Sequence, residues 1–354
     1  MLIVVLVIIS LSLLILGHEA GHFLVAKLFG MKIDEFGFGF PPKIFGRKKG
    51  ETEYSLNWLP FGGFVKIRGE SDPSPLDNGE RRVTSDTSVP EEEKKHLFLF
   101  QPAWRRALVV AAGVATNFLI GWFLISAVLM VGTPKAIVIS GTQAGSPAES
   151  VGLMSGDIIN GYKTVQDFVN FVNQNRGRPI TISISRNGKD LSFTVTPRVS
   201  IGPNEGALGV LLAEGGEERQ GFMKALWQGL KNSVYILGMT LQALYLLVKN
   251  LFLHGSLLQG VVGPVGIFSV AEEASHIGLI YFVQLMGLIS LNLTVVNLIP
   301  FPALDGGRLL FIAAEKIKGS PVSRKIEMWA NGLGFALLIA IMVLITIRDI
   351  GHWF

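Results

Sequence analysis

Two histidines four residues apart, His18 and His22, with Glu19 between them, interrupt a segment that is otherwise apolar. On a helix, positions i and i+4 lie about 40° apart in azimuth and roughly 6 Å along the axis, so both imidazoles can grip one metal ion from the same face. Glu19 then sits beside the pair, placed to act as general base toward a water that the metal activates. The five residues His18-Glu-Ala-Gly-His22 are the HExxH pattern of zinc sites. Met1 to Leu16 carries no charge and the apolar run resumes at Phe23, so the element that must position the pair is a membrane helix. Asp, Lys or Arg at the centre of a bilayer helix costs about 2.5–3.5 kcal/mol on insertion scales, so a Glu flanked by two His at that depth needs a functional reason. A cleaved signal peptide is the bland alternative. It lacks support here, because there is no basic n-region or clear small-residue cleavage site, and cleavage near position 20 would remove the motif.

Composition points the same way. Hydrophobic residues make up 49% of the 354 and charged residues only 16%, shifted from the soluble average toward the bilayer class. The net charge of +4 does not indicate a nucleic-acid partner, because the basic residues flank apolar spans instead of forming a separate patch. The absence of cysteine excludes disulfides and cysteine-based metal or nucleophile chemistry. His and carboxylates remain as the strong zinc ligands.

The expected fold is a polytopic α-helical membrane protein with about four transmembrane helices, a cytoplasmic membrane-associated β-hairpin or sheet, and one inserted α+β module. A first span (1–30) carries the histidines. Residues 31–102 follow as a β-rich loop and a linker: Glu35-Phe-Gly-Phe-Gly-Phe40 and Pro60-Phe-Gly-Gly-Phe-Val-Lys-Ile67 read as short strands with turns, and Ser71 to His96, rich in Pro, Ser, Asp and Glu, reads as disordered. The aromatic residues of the strands suit a small core as well as a membrane-dipping or substrate-contacting surface. A second span (103–131) is anchored by Trp104-Arg105-Arg106 and carries Asn117 at its middle, suited to an interhelical hydrogen bond or to an active-site contact. The soluble module (132–200) alternates strand-like and turn residues. The region 201–276 contains an ambiguous apolar stretch, Phe222 to Leu253, punctuated by Lys224, Lys231 and Lys249. A third span (277–307) ends in Asn297-Leu-Ile-Pro-Phe-Pro-Ala-Leu-Asp-Gly-Gly307, where two prolines stop the helix. Broken backbone at membrane depth is tolerated only where it is buried or lines a polar cavity, so Asp305 is aimed at something. A basic loop (308–328) and a fourth span (329–348) complete the chain.

Charge sets the orientation. Thirteen Lys or Arg lie from Lys32 to Arg106, the last two at the head of the second span, and Arg308, Lys316, Lys318, Arg324 and Lys325 precede the fourth, so both regions are expected in the cytoplasm. Both termini and the inserted module are then extracytoplasmic, and His18, His22 and Asp305 share a depth near the cytoplasmic side. A fully crossing helix at Phe222 to Leu253 would reverse the third span and separate Asp305 from the histidines. That stretch is therefore expected to lie along the interface or to re-enter.

The combination of His18-Glu-Ala-Gly-His22 in the first span, Phe61-Gly-Gly-Phe-Val-Lys66, Gly263-Pro-Val-Gly266 and Asn297 to Gly307 resembles the site-2 protease family of intramembrane zinc metalloproteases. Within the module, Ser146-Pro-Ala-Glu149, Gly152-Leu153 and Gly156-Asp-Ile-Ile159 resemble a PDZ domain of the permuted bacterial type. The resemblance implies a bacterial inner-membrane enzyme that cleaves single-pass membrane proteins such as anti-sigma factors. It makes His18, His22 and Asp305 the ligands of one catalytic Zn2+ and Glu19 the general base. Substrate could pair in extended form with Phe61, Gly62, Gly63, Phe64 and Val65, and Asn297 could bind its unwound backbone; a peptide could also dock on the PDZ-like module. Two departures stand out: a single PDZ-like module fits, and Val114 follows Gly113 where the family commonly has proline. The alternatives are a membrane-anchored PDZ scaffold with a structural or inactive metal site, and a transporter with an ion at a broken helix. The second is disfavoured by the lack of an inverted repeat.

Overall fold

The computed structural model describes residues 2–70, 90–186, 189–200, 202, 205–254, 263–320 and 322–351. In chain order the elements begin with α1 (Leu2–Leu28), β1 (Ile33–Lys49), β2 (Thr52–Ile67), α2 (Glu91–Lys94) and α3 (Ala103–Val131). Then come β3 (Ala136–Thr142), α4 (Pro147–Ser150), β4 (Ile158–Ile159), α5 (Val165–Gln174), β5 (Ile180–Arg186), β6 (Lys189–Val195) and β7 (Val210–Gly215). The chain closes with α6 (Phe222–His254), α7 (Pro264–Ile277), α8 (Leu279–Leu298), α9 (Asp305–Lys318) and α10 (Arg324–Gly351). Among the described residues four helices are long and apolar enough to cross a membrane, Ile3–Leu28, Ala103–Val131, Leu279–Leu298 and Lys325–Gly351. Although α6 is a single helix of 33 residues, it is not among them. The chain divides into two compact units, one of Met1–Ile125, Gly229–Ala271 and Leu285–Phe354, the other of Ser126–Gln228 and Glu272–Gln284.

Small residues organise the helices of the first unit. Lipid tails are as apolar as leucine, so helices in a bilayer associate where glycine lets backbones approach. A Cβ on Gly21 of α1 would stand 2.5 Å from the Ala112 carbonyl oxygen of α3. On the other side of α3, a Cβ on Gly121 would stand 2.6 Å from Leu291 of α8, and one on Gly287 of α8 would stand 3.0 Å from Ile125. The Ser290 hydroxyl donates to the Asn117 carbonyl oxygen at 2.7 Å. Thus α3 is a spine gripped from two sides, and its start is tied to α9 by a bidentate pair in which Arg106 donates to Glu315 at 2.6 and 3.0 Å.

The strands β1 and β2 form an antiparallel hairpin closed at Gly50, whose φ of 65° suits glycine. The hairpin doubles back on itself, so Glu35–Phe38 lies opposite Lys66–Gly63 on one side and Glu53–Leu56 on the other. Among the described residues no strand pairs with the outer edge of Gly63–Ile67. Glu35 is buried beneath this sheet; burial alone would raise its pKa, but the Ser55 hydroxyl and the Lys66 and Lys43 ammonium groups hold the carboxyl below its ordinary range.

Of the expected linker Ser71–His96, residues 71–89 lie outside the described residues. Its end is ordered, which corrects the expectation there. Glu91–Lys94 is helical, His96 Nδ1 donates to the Gly30 carbonyl at 2.6 Å and Lys32 N donates to the His96 carbonyl at 3.0 Å. The cause is the apolar pair that follows, Leu97 and Phe98, both buried, with Phe98 packed among Met31, Ile33 and Ile67.

In the second unit five antiparallel strands are ordered β6-β5-β4-β3-β7. Period-two alternation in β5 buries Ile180, Ile182 and Ile184 against Ile137, Ile139 and Phe168 while Thr181 and Ser183 face out. Ser146 and Thr164 cap α4 and α5 through the backbone N–H groups of Glu149 and Asp167. Buried Asp157 accepts from Arg186 at 2.6 and 2.7 Å and from Met154 N at 2.8 Å. The sheet extends beyond the boundary expected at position 200, because β7 pairs along β3 after a Gly-, Pro- and Asn-containing stretch that reads as a break in the sequence.

Candidate metal centre

His18 and His22 project from one face of α1, and both are buried. Their rings meet edge to face, with centroids 4.7 Å apart. The rings fit because α3 presents Gly113 to them. A Cβ there would collide with His22 Nε2 and stand 2.8 Å from His18 Cε1. His22 Nδ1 donates to the Val109 carbonyl of α3 at 2.8 Å, which fixes the proton on Nδ1 and leaves the Nε2 lone pair for a ligand.

The third group arrives from the broken backbone after α8. Between Leu298 and Asp305 the chain turns back, with Phe301 N donating to the Ile299 carbonyl at 2.7 Å, and Ala303 takes a φ of 74°, a left-handed conformation that a side-chain-bearing residue seldom adopts. The turn is held by Asn331 of α10, whose Oδ1 accepts from Ala303 N at 3.0 Å. Gly306 and Gly307 are required by the same reversal: a Cβ on either would collide with the carbonyl oxygens of Ile299 or Phe301. Asp305 thereby opens α9 with its carboxylate buried and aimed at α1.

Three atoms converge. His18 Nε2 lies 3.2 Å from His22 Nε2, Asp305 Oδ2 lies 3.0 Å from His18 Nε2, and Asp305 Oδ2 lies 3.3 Å from His22 Nε2. Ligand atoms about 2.0–2.2 Å from a tetrahedral zinc stand roughly 3.3–3.5 Å apart, so this triangle has the size of one face of such a site. Asp305 Oδ2 is buried with no hydrogen-bond partner. Three lone pairs brought this close repel one another unless a cation sits among them, and two imidazoles with one carboxylate are a donor set that zinc favours. Among the described residues this is the one group of three His or carboxylate side chains that meets metal-site distances.

Of the other residues singled out in the sequence, Glu19 follows His18 directly, and Gly63 of β2 lies against it: a Cβ on Gly63 would be 3.7 Å from Glu19 Cγ and 3.3 Å from Leu16. Gly62, Gly63, Phe64 and Val65, with the backbone of Phe61, lie on β2, and Gly63–Ile67 is its free edge. Asn297 lies in the last turn of α8, half-buried. Sequence reasoning gives Gly113 no role at the site and does not find the Val109 carbonyl or Asn331. The first has only a glycine in an apolar helix as its signal, and the other two have none.

A model described as peptidase family M50 matches residues 6–341. The chain is 30% identical to the regulator of sigma-W protease RasP of Bacillus subtilis over 419 aligned residues, covering 98% of both chains. It is 31% identical to the zinc metalloprotease RasP of Geobacillus kaustophilus over 413, covering 96% of both. A provisionally named zinc metalloprotease of Clostridium perfringens is 32% identical over 352, covering 98% of both. With a match that spans nearly its whole length, the chain belongs to peptidase family M50, the site-2 protease type of intramembrane zinc metalloprotease.

Proposed function

We propose that this protein holds one zinc ion between His18, His22 and Asp305 and uses Glu19 as general base to hydrolyse peptide bonds within the transmembrane segments of single-pass membrane proteins. The observation that carries the reading is the 3.0–3.3 Å triangle of buried ligand atoms, two of them on a helix apolar enough to cross a membrane. The Bacillus relative is named a regulator of sigma-W protease, which supports release of an anti-sigma factor as the biological outcome. Three protein ligands would leave a fourth position for water, as catalytic zinc sites require. Zinc, when bound, supplies a Lewis acid that polarises the scissile carbonyl and makes water a nucleophile near neutral pH. The Glu19 carboxylate accepts the proton of that water and returns it to the leaving amine.

A substrate helix hides its peptide bonds in its own hydrogen bonds and must be extended before attack. The free edge of Gly63–Ile67, with Gly63 against Glu19, supports pairing of the extended segment with β2. Asn297 offers an amide to the unwound backbone. Replacing Phe61–Val65 with a proline-containing segment should remove two or three main-chain bonds of about 0.5–1.5 kcal/mol each, lowering cleavage roughly 10–100-fold with zinc content intact. Unchanged cleavage would remove the strand-pairing idea.

The five-stranded unit reads as a PDZ-like module. Its edge strand β7 faces α5 across a groove lined by Phe168, Val172, Leu208, Val210 and Leu212. The carbonyls of Ala207 and Leu208 accept from Arg198 N and Ala148 N, which turns the N–H groups of Leu208 and Gly209 away from the framework, suited to a peptide carboxylate. The charge of the loops supports a bacterial inner-membrane enzyme with this module outside the cytoplasm and the metal site toward the cytoplasmic face.

The function is tested with purified protein and a model single-pass substrate. Bound zinc is expected near one ion per chain, cleavage is expected to stop on chelation, and it should return on adding zinc. Zinc that binds without supporting cleavage would leave a membrane-anchored scaffold in its place.

A further inference from the structure

His22 has a backbone carbonyl to fix its tautomer, and His18 faces the same requirement. With its Nε2 turned into the triangle, a neutral His18 ring must carry its proton on Nδ1, and that proton needs an acceptor. Among the described residues, the group within hydrogen-bond reach of His18 Nδ1 is the side-chain amide of Asn117, 3.1 Å away. Asn117 is 1% exposed, in the middle of the second span, and its backbone is fixed from the far side by the bond from Ser290 to its carbonyl. With the amide NH2 facing His18, the Asn117 Oδ1 is left buried and without a partner. Amide oxygen and nitrogen are distinguished by their hydrogen-bond network, and a half-turn of the amide places Oδ1 opposite the Nδ1 proton.

We infer that Asn117 is a positioning residue: through Oδ1 it accepts from His18 Nδ1 and so presents Nε2 to the metal, as the Val109 carbonyl does for His22. The two ligands on α1 are thus both oriented by α3, one through a main-chain oxygen and one through a side chain.

This inference rests on the metal site proposed above, and one titration separates the two. Zinc affinity is measured by chelator competition on the purified full-length protein, alongside thermal unfolding of the chelated form. Wild type, Asn117→Leu, which keeps the volume without an acceptor, and Asn117→Asp, which keeps only acceptors, are compared. Wild type that binds no zinc ends the metal reading itself. Given wild-type binding, Asn117→Leu should weaken zinc about 10–100-fold. Asn117→Asp should stay within a few-fold of wild type even where its chelated form unfolds earlier. Asn117→Leu with wild-type affinity, or Asn117→Asp as weak as Asn117→Leu, would overturn the proposal. Should the leucine variant fail to fold, nitrogen NMR of histidine-labelled wild type decides by itself. A proton on His18 Nδ1 supports the assignment and one on Nε2 in the zinc-free protein overturns it.

Discussion

Replacing Glu19 with glutamine is expected to lower cleavage of a transmembrane substrate about 10²–10⁴-fold while leaving bound zinc unchanged. The expectation follows from geometry. The converging atoms belong to His18, His22 and Asp305, and Glu19 is not one of them, so removing its charge takes no ligand from the metal. Glutamine keeps the length and planar end of glutamate, so packing against Gly63 is retained. What it loses is a lone pair basic enough to take a proton from water. Glutamine is also cheaper than ionised glutamate at membrane depth, so the variant should accumulate at least as well as wild type. Metal analysis and single-turnover cleavage, measured on the same preparation, decide the point: loss of zinc together with loss of cleavage would make Glu19 structural, and undiminished cleavage would remove it as the base. His22→Ala is the contrasting control, since it should lose both.

The parts of this site that were legible in the sequence are those whose signal is local. His18 and His22 announce themselves by their spacing, and Asp305 by a helix that prolines must break. The apolar runs are equally plain, because a span long enough for a bilayer has few other uses. What the sequence does not carry is which face of a span meets which neighbour. The span α3 is apolar on all sides, so nothing in its periodicity marks Val109, Gly113 and Asn117 as the face turned to α1. Asn331 is similarly silent, because its partner is a main-chain N–H in a strained turn 28 residues away. The hairpin's doubling-back and the late strand β7 were hidden for a related reason: both depend on long-range pairing across segments rich in turn residues. Local pattern therefore identifies the candidate ligands, and glycine-mediated contact between helices determines whether they meet.

Gly113→Ala tests that last statement and carries the second large effect. On helix propensity alone the substitution should help, since alanine is favoured over glycine by about 1 kcal/mol in a helix interior. Sterically it should ruin the site, because the new methyl group would collide with His22 Nε2 and stand 2.5 Å from His22 Cε1. Two routes of relief exist, and both dismantle the triangle. Rotating the His22 ring breaks its bond to the Val109 carbonyl and turns Nε2 away from Asp305. Moving α1 off α3 separates Gly21 from the Ala112 carbonyl, and it carries both histidines away from a carboxylate that the Ile299–Asp305 turn holds in place. Zinc affinity should therefore fall on the order of 10²-fold, with cleavage falling in step. Gly17→Ala is the matched control on the same helix pair. Its methyl would meet the flexible end of Ile120, which can rotate aside, so zinc binding should change little. Wild-type zinc affinity in Gly113→Ala would mean that the spacing of α1 and α3 does not set the site, and the account of α3 as the template for both histidines would fail with it.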